Sequence, residues 1–355
     1  MREIVIVIRD LYLERELTGR PPVARAPREI VPPAGPEGAS APGLAHLVRF
    51  GHKSALTEGW RAWAARWLDL PQYAAAAPAS VAAAALENAP ADRAVWLATP
   101  VHLIAGLTSL HFDRRSLLHL PGAELEALAA DFRDTFNGSG FDLRPLEGGE
   151  LLLCAPRVSG PVTTAEPARL PLTAIAEALP VGEGAPALRR LGAEIEMWLH
   201  SHPINAARAR RGALTVGTLW LWGGGAPATS PPGALQEVPE RAYGFDAYLR
   251  GLWRLAGGEV RPIPVDWAAM IGEPRARRAL GVVEVAELLH ANPSWNLEDA
   301  VAQIDRRLIS PSLAALHRGG LERVVLLAND RSFTVRAADR WRLWRRKRAG
   351  LEGLL

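Results

Sequence analysis

The chain has 355 residues, of which 48% are hydrophobic and 22% charged, the composition of a soluble globular protein rather than a disordered one. Its 41 Lys and Arg against 38 Asp and Glu give a formal net charge of +3, which indicates no general affinity for nucleic acid or an anionic membrane. The single cysteine, Cys154, excludes an internal disulfide and is typical of a reducing compartment.

The first element predicted along the chain is a strand. The apolar run from Ile4 to Ile8 is β-branched throughout and ends at Arg9-Asp10, a pattern that predicts a central parallel strand. The run is too short for the core of a signal peptide, and no other stretch holds the roughly 18 apolar residues that a spanning helix needs. We therefore expect a cytoplasmic protein without a membrane-embedded part.

A proline-rich stretch, Gly19 to Gly43, predicts a long surface loop. Helical patterns then run, with breaks, from His46 to about Asn88. Trp60, Trp63 and Trp67 stand there at helical spacing, which favours a core stripe over a stacking platform for a ligand.

From Val95 to Val162, short strand-like pieces surround a predicted helix from Ala123 to Phe136, and Leu151 to Cys154 is typical of a buried strand. Beyond this block, apolar periodicity and turn residues predict further elements in chain order. These are a turn at ATSPPG, a helix at Phe245–Ala256, a strand at Val282–Val285, a helix at Leu297–Leu308 and a strand at Arg323–Ala328.

The most informative stretch runs from Glu194 to Gly225. It predicts a helix carrying His200, closed by His202-Pro203-Ile204-Asn205, then an Arg-rich turn and an apolar strand that runs into Gly223-Gly224-Gly225. This alternation favours a βα layered sheet over a bundle or a sandwich. We expect a tight turn at the three glycines, at the carboxyl end of a central strand, where a ligand approaches the backbone closely.

This stretch carries a family resemblance. Its H-P-[VI]-N, R, G and W-G-G-G pattern resembles the RpfE-type regulatory protein family, which is similar to the carboxyl-terminal part of archaeal-type cofactor-independent phosphoglycerate mutases. The matching residues are His202, Pro203, Asn205, Arg208, Gly212, Trp220, Trp222, Gly223, Gly224 and Gly225. Weaker likenesses lie at Trp96 to Leu103, at GLWRLAGGEVRPIP from Gly251 and at SFTVRAADRWRLWRR.

The resemblance implies an α/β fold with an alkaline-phosphatase-like layered sheet core and a smaller inserted α+β domain. It places the core at residues 1–94 and 163–355 and the inserted domain at 95–162. Active members of the mutase family hold two divalent metal ions on Asp and His side chains and use a Ser that takes the phosphoryl group.

The residues that would carry this chemistry depart from the family pattern. Asp10 stands where the family has a metal ligand before a glycine, but Leu11 replaces the glycine. Asn329-Asp330 lacks the His of the family's second metal cluster, and Ser40 in the proline-rich loop has no recognisable base beside it. Asp10 and Asp330 are thus weak relics of a metal site, and capping of the following helix or turn is the favoured alternative for Asp10.

Residues of the informative stretch also have two alternative roles. Bonding of orphan carbonyl groups in the helix-to-strand connection is favoured for His202 and Asn205 over direct ligand contact. Arg208, Arg210 and Arg211 suit a phosphate site, although a solvated basic face is the favoured interpretation. The chain lacks the common zinc, P-loop and dinucleotide motifs.

The carboxyl-terminal segment from Arg340 to Arg348 places six cations in nine residues. On a helix, Trp341 and Trp344 would share one face and leave most arginines outward. A surface role is favoured over contact with an acidic partner, and the segment alone predicts no sequence-specific nucleic-acid binding.

Together these features favour a phosphoglycerate-mutase-like protein that has lost catalysis and has a regulatory or small-anion-binding role, without a cofactor. The predicted ligand for this role is a phosphorylated or anionic small molecule. The residues predicted to bind it are His202, Asn205, Arg208, Arg211, Gly223, Gly224 and Gly225.

Two alternatives stay open at this point. The first is an active metal-dependent mutase, an isomerase, or a related phosphohydrolase that uses manganese or zinc on diverged ligands such as Asp10, Asp330 and His202. The second is a protein-interaction module that binds its partner through the basic carboxyl-terminal helix.

Overall fold

The computed structural model describes residues 2–13, 40–86, 88, 92–106, 109–156, 160–170, 175–228, 240–272, 278–341 and 354. The predictions for most of the proline-rich loop, for the ATSPPG turn after its first residue, and for residues 342–348 of the basic segment lie outside these residues. Within the described ranges, no helix has the length and apolar character needed to cross a membrane.

The strands, in chain order, are β1 (Glu3–Ile8), β2 (His52–Ala55), β3 (Ala94–Val101), β4 (Ile104–Ala105), β5 (Leu110–His111), β6 (Asp142–Pro145), β7 (Leu151–Ala155), β8 (Thr218–Gly225), β9 (Arg241–Tyr243), β10 (Val260–Arg261), β11 (Arg278–Val283), β12 (Arg323–Ala328) and β13 (Arg331–Arg336). The α-helices are α1 (Pro42–Phe50), α2 (Gly59–Trp67), α3 (Pro78–Ala82), α4 (Gly122–Thr135), α5 (Ala185–His200), α6 (Pro203–Arg210), α7 (Ala247–Leu255), α8 (Trp267–Gly272), α9 (Val285–Ala291), α10 (Leu297–Ile304) and α11 (Ser310–His317). A π-helical segment, Asp305–Ile309, joins α10 to α11.

The chain forms two compact units, Met1–Thr57 with Pro264–Leu355, and Glu58–Ile263. In the first unit, strands pair in the order β11-β1-β12-β13-β2. β1 is parallel to both β11 and β12, whereas β13 and β2 are antiparallel additions. Every residue of β1 is buried, so the predicted central parallel strand is confirmed.

A buried carboxylate fixes the start of α1 in the first unit. Asp305 is fully buried, and its oxygens accept hydrogen bonds from the amides of Gly43 at 3.2 Å and Leu44 at 2.6 Å. The Ser310 hydroxyl donates to the same carboxylate at 2.8 Å. Because Ala41 supplies no side-chain cap, the first amides of α1 are satisfied from the other end of the chain.

The second unit contains an antiparallel sheet in the order β6-β7-β3-β8, and β9 and β10 form a parallel pair. α5 and α3 pack against β8, and α4 packs against β6. Helix α5 packs on β8, so this stretch layers a helix on a sheet, as predicted. The predicted central position of the strand is wrong, because β8 pairs antiparallel with β3 and lies last in the sheet order.

The compact units also differ from the predicted domain boundaries. β3, β6 and β7 belong to the predicted inserted domain at 95–162, apart from the first residue of β3, but their sheet continues into β8. Hydrogen bonding between β3 and β8 therefore joins the two sides of the boundary predicted at residue 163.

The tryptophan stripe of α2 belongs to the core, as its spacing predicts. Trp60 and Trp67 are buried, and their rings lie 5.8 Å from the Tyr248 ring and 6.2 Å from the Trp253 ring. Trp63 is half-buried and stacks on Trp67. These rings fill the space between α2 and α7.

Several predicted elements have different limits in the structure. β2 interrupts the predicted helical region after His46, because its backbone pairs with β13. The strand predicted at Val282–Val285 is β11, which ends at Val283 because α9 begins at Val285. The helix predicted at Leu297–Leu308 changes at Asp305, the residue that caps α1, into the π-helical segment.

Candidate functional site

Asp10, the first relic of a metal site, lies at the carboxyl end of β1. Its two carboxylate oxygens accept hydrogen bonds from the amides of Val285 and Ala286, each at 2.7 Å. Asp10 therefore caps α9, a helix far along the chain, rather than the turn that follows it. Burial raises the pKa of Asp10, as does the nearby Glu284 carboxylate, and the two amides partly offset these effects.

Asn329-Asp330, the second relic, forms the two-residue turn between β12 and β13. Both residues have positive φ, 50° and 52°, as a type I′ turn between antiparallel strands requires. The Asn329 side chain accepts from the Leu13 amide at 3.0 Å and donates to the Leu354 carbonyl at 2.9 Å. The local role of this pair is thus to close a hairpin and to hold two chain segments against it.

These residues do not fit the two-metal centre that the family implies. Both oxygens of Asp10 are bonded to helix amides, and Asn329-Asp330 is a strand turn that lacks the family's His. Nowhere in the described part of the chain do three His, Cys, Asp or Glu side chains gather as a metal-ligand set. Ser40, which the sequence does not favour as a nucleophile, is exposed two residues before α1.

His202 and Asn205 join α5, α6 and the segment that leads into β8. His202 is the N-cap of α6, where its Nδ1 accepts from the Ile204 amide at 3.2 Å. The Asn205 amide donates to the carbonyls of Leu199 and Val216 at 2.8 and 2.9 Å, and its oxygen accepts from the Val216 amide. The favoured structural role is confirmed for Asn205, which bonds two backbone carbonyls, whereas His202 bonds an amide instead.

The other side of the His202 ring faces an acidic residue. Its Nε2 lies 3.1 Å from an Asp131 oxygen, and its ring packs edge-on against Trp198. Since Nδ1 accepts a bond from the Ile204 amide, the neutral ring carries its proton on Nε2, the nitrogen that lies near Asp131. Burial lowers the pKa of His202, and Asp131 partly offsets this shift.

Arg208 is buried, so a solvated basic face is wrong for this residue. Its Nε donates to the Leu214 carbonyl at 2.6 Å, and its Nη1 donates to Glu124 Oε2 at 2.5 Å. Arg211 donates to the other Glu124 oxygen, and its side chain is 58% exposed. Glu124 therefore binds both arginines and ties α4 to α6.

The three glycines continue β8 and do not form the predicted tight turn. Leu97 pairs with Trp222, and Val95 pairs with Gly225, so Gly223 and Gly224 together stand opposite Trp96. This is a β-bulge, and the φ of 64° at Gly223 is the conformation that glycine adopts most readily.

The protein itself fills the space in front of these glycines. A Cβ at Gly223 would lie 3.1 Å from Pro78, one at Gly224 would lie 2.1 Å from the Trp96 ring, and one at Gly225 would lie 2.5 Å from Ser80 Oγ. Residues of α3 and the Trp96 ring therefore lie close to the glycine backbone, in the place where the sequence predicts a ligand.

A groove elsewhere in the second unit was missed by sequence reasoning. It has a volume of about 240 Å³ and lies between α5, the Thr218–Leu221 part of β8 and residues 175–180. Its polar lining residues are Arg189, Glu196 and Thr218. The available signal was Gly192, a glycine in the middle of an otherwise regular helical pattern.

Comparison with known proteins shows partial similarity. No family model matches the sequence. Over 176 residues, 44% of this chain and 43% of the relative, the sequence is 29% identical to the 2,3-bisphosphoglycerate-independent phosphoglycerate mutase of Methanothrix thermoacetophila. This chain therefore matches less than half of that enzyme's length, and over this part it is phosphoglycerate-mutase-like.

Two solved structures align with most of the chain. The cofactor-independent phosphoglycerate mutase from Thermoplasma acidophilum is 16% identical, with a TM-score of 0.38, over 94% of this chain and 89% of that one. The PH0037 protein from Pyrococcus horikoshii is 15% identical, with a TM-score of 0.46, over 99% of this chain and 91% of that one.

Proposed function

We propose that this protein is a phosphoglycerate-mutase-like protein without mutase activity, which acts by binding. The observation that carries the proposal is the state of Asp10. A buried carboxylate whose two oxygens both accept helix amides is already held and satisfied as a cap, so the burial of Asp10 at the end of β1 requires no metal ion.

The residues around the ends of β1 and β12 support the same proposal. Leu11, which replaces the glycine of the family pattern, is fully buried, and so is Leu354. The Asn329 amide donates to the Leu11 carbonyl and the Asn329 side chain donates to the Leu354 carbonyl, so this turn is bonded to the backbone of two buried leucines. A phosphoryl group needs cations and donors at its binding site, which leucine side chains do not offer.

The test is a coupled assay for interconversion of 2- and 3-phosphoglycerate on the full chain, with and without added manganese. The Methanothrix thermoacetophila mutase is the positive control. We expect a rate indistinguishable from the buffer blank, at least about 1000-fold below the control, because loss of nucleophile and metal activation removes most of the rate enhancement. We also expect metal analysis of the purified protein to find less than one bound manganese or zinc ion per chain.

Two variants decide between the proposal and an active enzyme. The sequence similarity to a named mutase is the observation that favours the active alternative. Turnover that rises with manganese and disappears in both Ser40→Ala and Asp10→Asn would overturn the proposal and make Ser40 the nucleophile. Turnover that is unchanged in both variants would come from a contaminating enzyme. The protein itself would then have no activity above the buffer blank.

A small-anion-binding role near the glycines is a separate proposal. Arg208, Asn205 and Arg211 already bond protein groups, which leaves exposed Arg210 and the exposed part of the Arg211 side chain for a phosphate. These two lie at the carboxyl end of α6, where the helix dipole disfavours an anion. Titration of the protein with 3-phosphoglycerate tests this role, and we expect an Arg210→Ala/Arg211→Ala double variant to lose any binding that the wild type shows.

A further inference from the structure

Two histidines meet where helices α1 and α11 pack together in the first unit. The ring centroids of His46 in α1 and His317, the last residue of α11, lie 5.2 Å apart, with the ring planes at 73°. His46 is partly buried, and its ring centroid also lies 4.6 Å from that of Phe50, one turn further along α1. An edge-to-face arrangement of two neutral rings is a favourable contact. In its neutral form the pair therefore contributes to the packing of α1 on α11.

The surroundings of the His46 ring do not favour a second proton on it. Its Nε2 atom is buried and has no hydrogen-bond partner in the described part of the chain. An imidazolium ring carries a proton on both nitrogens, so the buried nitrogen would become a charged donor without an acceptor. A buried donor that is left unsatisfied costs more when it is charged than when it is neutral. Protonation of His46 is therefore unfavourable while the ring stays in this position.

The charges near His46 act in the same direction. Burial lowers the pKa of His46, and both His317 and Arg49 lower it further. Arg49 lies against the same aromatic ring as His46, with 4.8 Å between its guanidinium carbon and the Phe50 centroid. The charged groups that act on His46 within the described chain are thus basic, one on its own helix and one on α11.

The elements packed against α1 offer His46 no compensating carboxylate. They are the π-helical segment, β13 and α11. Their titratable and charged residues are Asp305, Arg306, Arg307, Arg331, Arg336 and His317. The oxygens of Asp305 are bonded to the amides of Gly43 and Leu44 and to the Ser310 hydroxyl, at the amino end of α1. Burial raises the pKa of Asp305, and a raised carboxyl pKa favours the folded form at low pH, so Asp305 is not a source of acid sensitivity here.

We propose that the contact between His46 and His317 makes the docking of α1 sensitive to acid, so that α1 separates from α11 when both rings are protonated. Separation would uncover Leu44 and Leu47, which are fully buried in the docked helix. The pKa of docked His46 is below the ordinary value of 6.5, so its contribution to docking is present above that pH and is lost as the pH falls through the docked-state pKa. This inference concerns the first unit alone and does not depend on the proposed loss of mutase activity.

Hydrogen exchange of the full chain tests the proposal, read by mass spectrometry on peptides from α1 and β1. Protection is compared at about pH 7.5 and about pH 5, on either side of the ordinary histidine pKa, after correction for the intrinsic exchange rate. We expect α1 to lose protection on acidification while β1, which lies between β11 and β12 in the same unit, keeps it. Equal loss in α1 and β1 would mean that the whole unit unfolds, and full protection of α1 at the lower pH would mean that the contact does not respond to acid. Either result would overturn the proposal.

Three variants assign the response to the histidine pair. His46→Gln should abolish the loss of protection in α1, because glutamine does not titrate. His317→Gln should reduce this loss, because it removes the charge on the facing helix while His46 stays buried. His52→Gln, at an exposed histidine of β2 in the same unit, should behave as the wild type.

Protection of α1 at the higher pH checks that the helix is docked in each variant. If His46→Gln has already lost that protection, His317→Gln decides, since His317 is exposed and its replacement leaves the core unchanged. An acid-induced loss of protection in His317→Gln as large as in the wild type would overturn the assignment to the pair. A reduced loss in His52→Gln would do the same, because the response would then not be specific to His46 and His317.

Discussion

The backbone amide of Asn329 donates a hydrogen bond to the carbonyl oxygen of Leu11 over 2.9 Å. This bond joins the turn after β12 to the segment after β1, at the carboxyl ends of two neighbouring parallel strands. Open α/β sheets commonly bind ligands at such an edge. Here the two segments bond each other instead.

The first prediction concerns this turn. Asn329→Ala removes the side-chain bonds to Leu13 and Leu354 and places alanine at a positive φ, so we expect the free energy of unfolding to fall by about 2 kcal/mol. Asp330→Asn is the control, because asparagine tolerates the same backbone conformation, and its effect should stay within about 0.5 kcal/mol. Chemical denaturation measures both. Equal stability of Asn329→Ala and wild type would show that the turn does not hold the two segments.

The second prediction concerns the bulge of β8. Gly224→Ala places a methyl group 2.1 Å from the Trp96 ring, so we expect a loss of about 1 to 3 kcal/mol as the ring is displaced. Gly192→Ala is the control, and since its methyl group meets nothing within 4 Å it should leave stability unchanged or raise it by up to about 1 kcal/mol. Thermal melts would contradict the assignment if the two variants behaved alike.

The third prediction concerns pH. The pKa of folded His202 is lowered from its ordinary value of 6.5, so its contribution to stability is present above that pH and is lost as the pH falls through the folded-state pKa. The physical cause of the lowered pKa is burial of the ring, which Asp131 partly offsets. A proton on Nδ1 would also remove the acceptor of the Ile204 amide.

The measurement is the free energy of unfolding at about pH 7.5 and about pH 5, on either side of the ordinary histidine pKa. His202→Asn keeps a capping oxygen but does not titrate, so its loss of unfolding free energy on acidification should be smaller than that of the wild type. His200→Asn, an exposed neighbour, should behave as the wild type. An unchanged pH dependence in His202→Asn would exclude the capping role.

The fourth prediction concerns Glu124. Arg208→Ala leaves this largely buried carboxylate with exposed Arg211 alone and also leaves the Leu214 carbonyl without its donor. Removing one partner of a buried pair is strongly destabilising, and we expect a loss of about 3 kcal/mol. Arg210→Ala, an exposed arginine two residues away, should change stability by less than about 0.5 kcal/mol. Similar losses of stability in both variants would mean that the positive charge of either arginine, rather than the contact between Arg208 and Glu124, stabilises the second unit.

Sequence periodicity was sufficient for elements whose burial is uniform or one-sided. β1 is a continuous apolar run that is buried on both faces, and α5 has buried residues at helical spacing. The sequence pattern therefore predicted both elements. β2 could not, because His52–Ala55 has no buried face and is a strand only through pairing with β13.

The candidate site shows the same difference. The WGGG pattern indicates that glycine is needed, but a bulge packed by α3 and a loop open to a ligand require the same residue, and only the neighbours distinguish them. Likewise, the amides that bind Asp10 come from residues 275 and 276 positions away, so no local pattern could reveal its capping role.

The distant caps have a consequence for biosynthesis. β1 lies between β11 and β12, and α1 receives its cap from Asp305, so the amino-terminal segment of the first unit has its partners near the other end of the chain. The second unit, Glu58–Ile263, lies between the two in sequence and leaves the ribosome before those partners exist. The apolar strand Glu3–Ile8 therefore has no strand partner during most of translation. In that period, association with chaperones or with other nascent chains competes with folding.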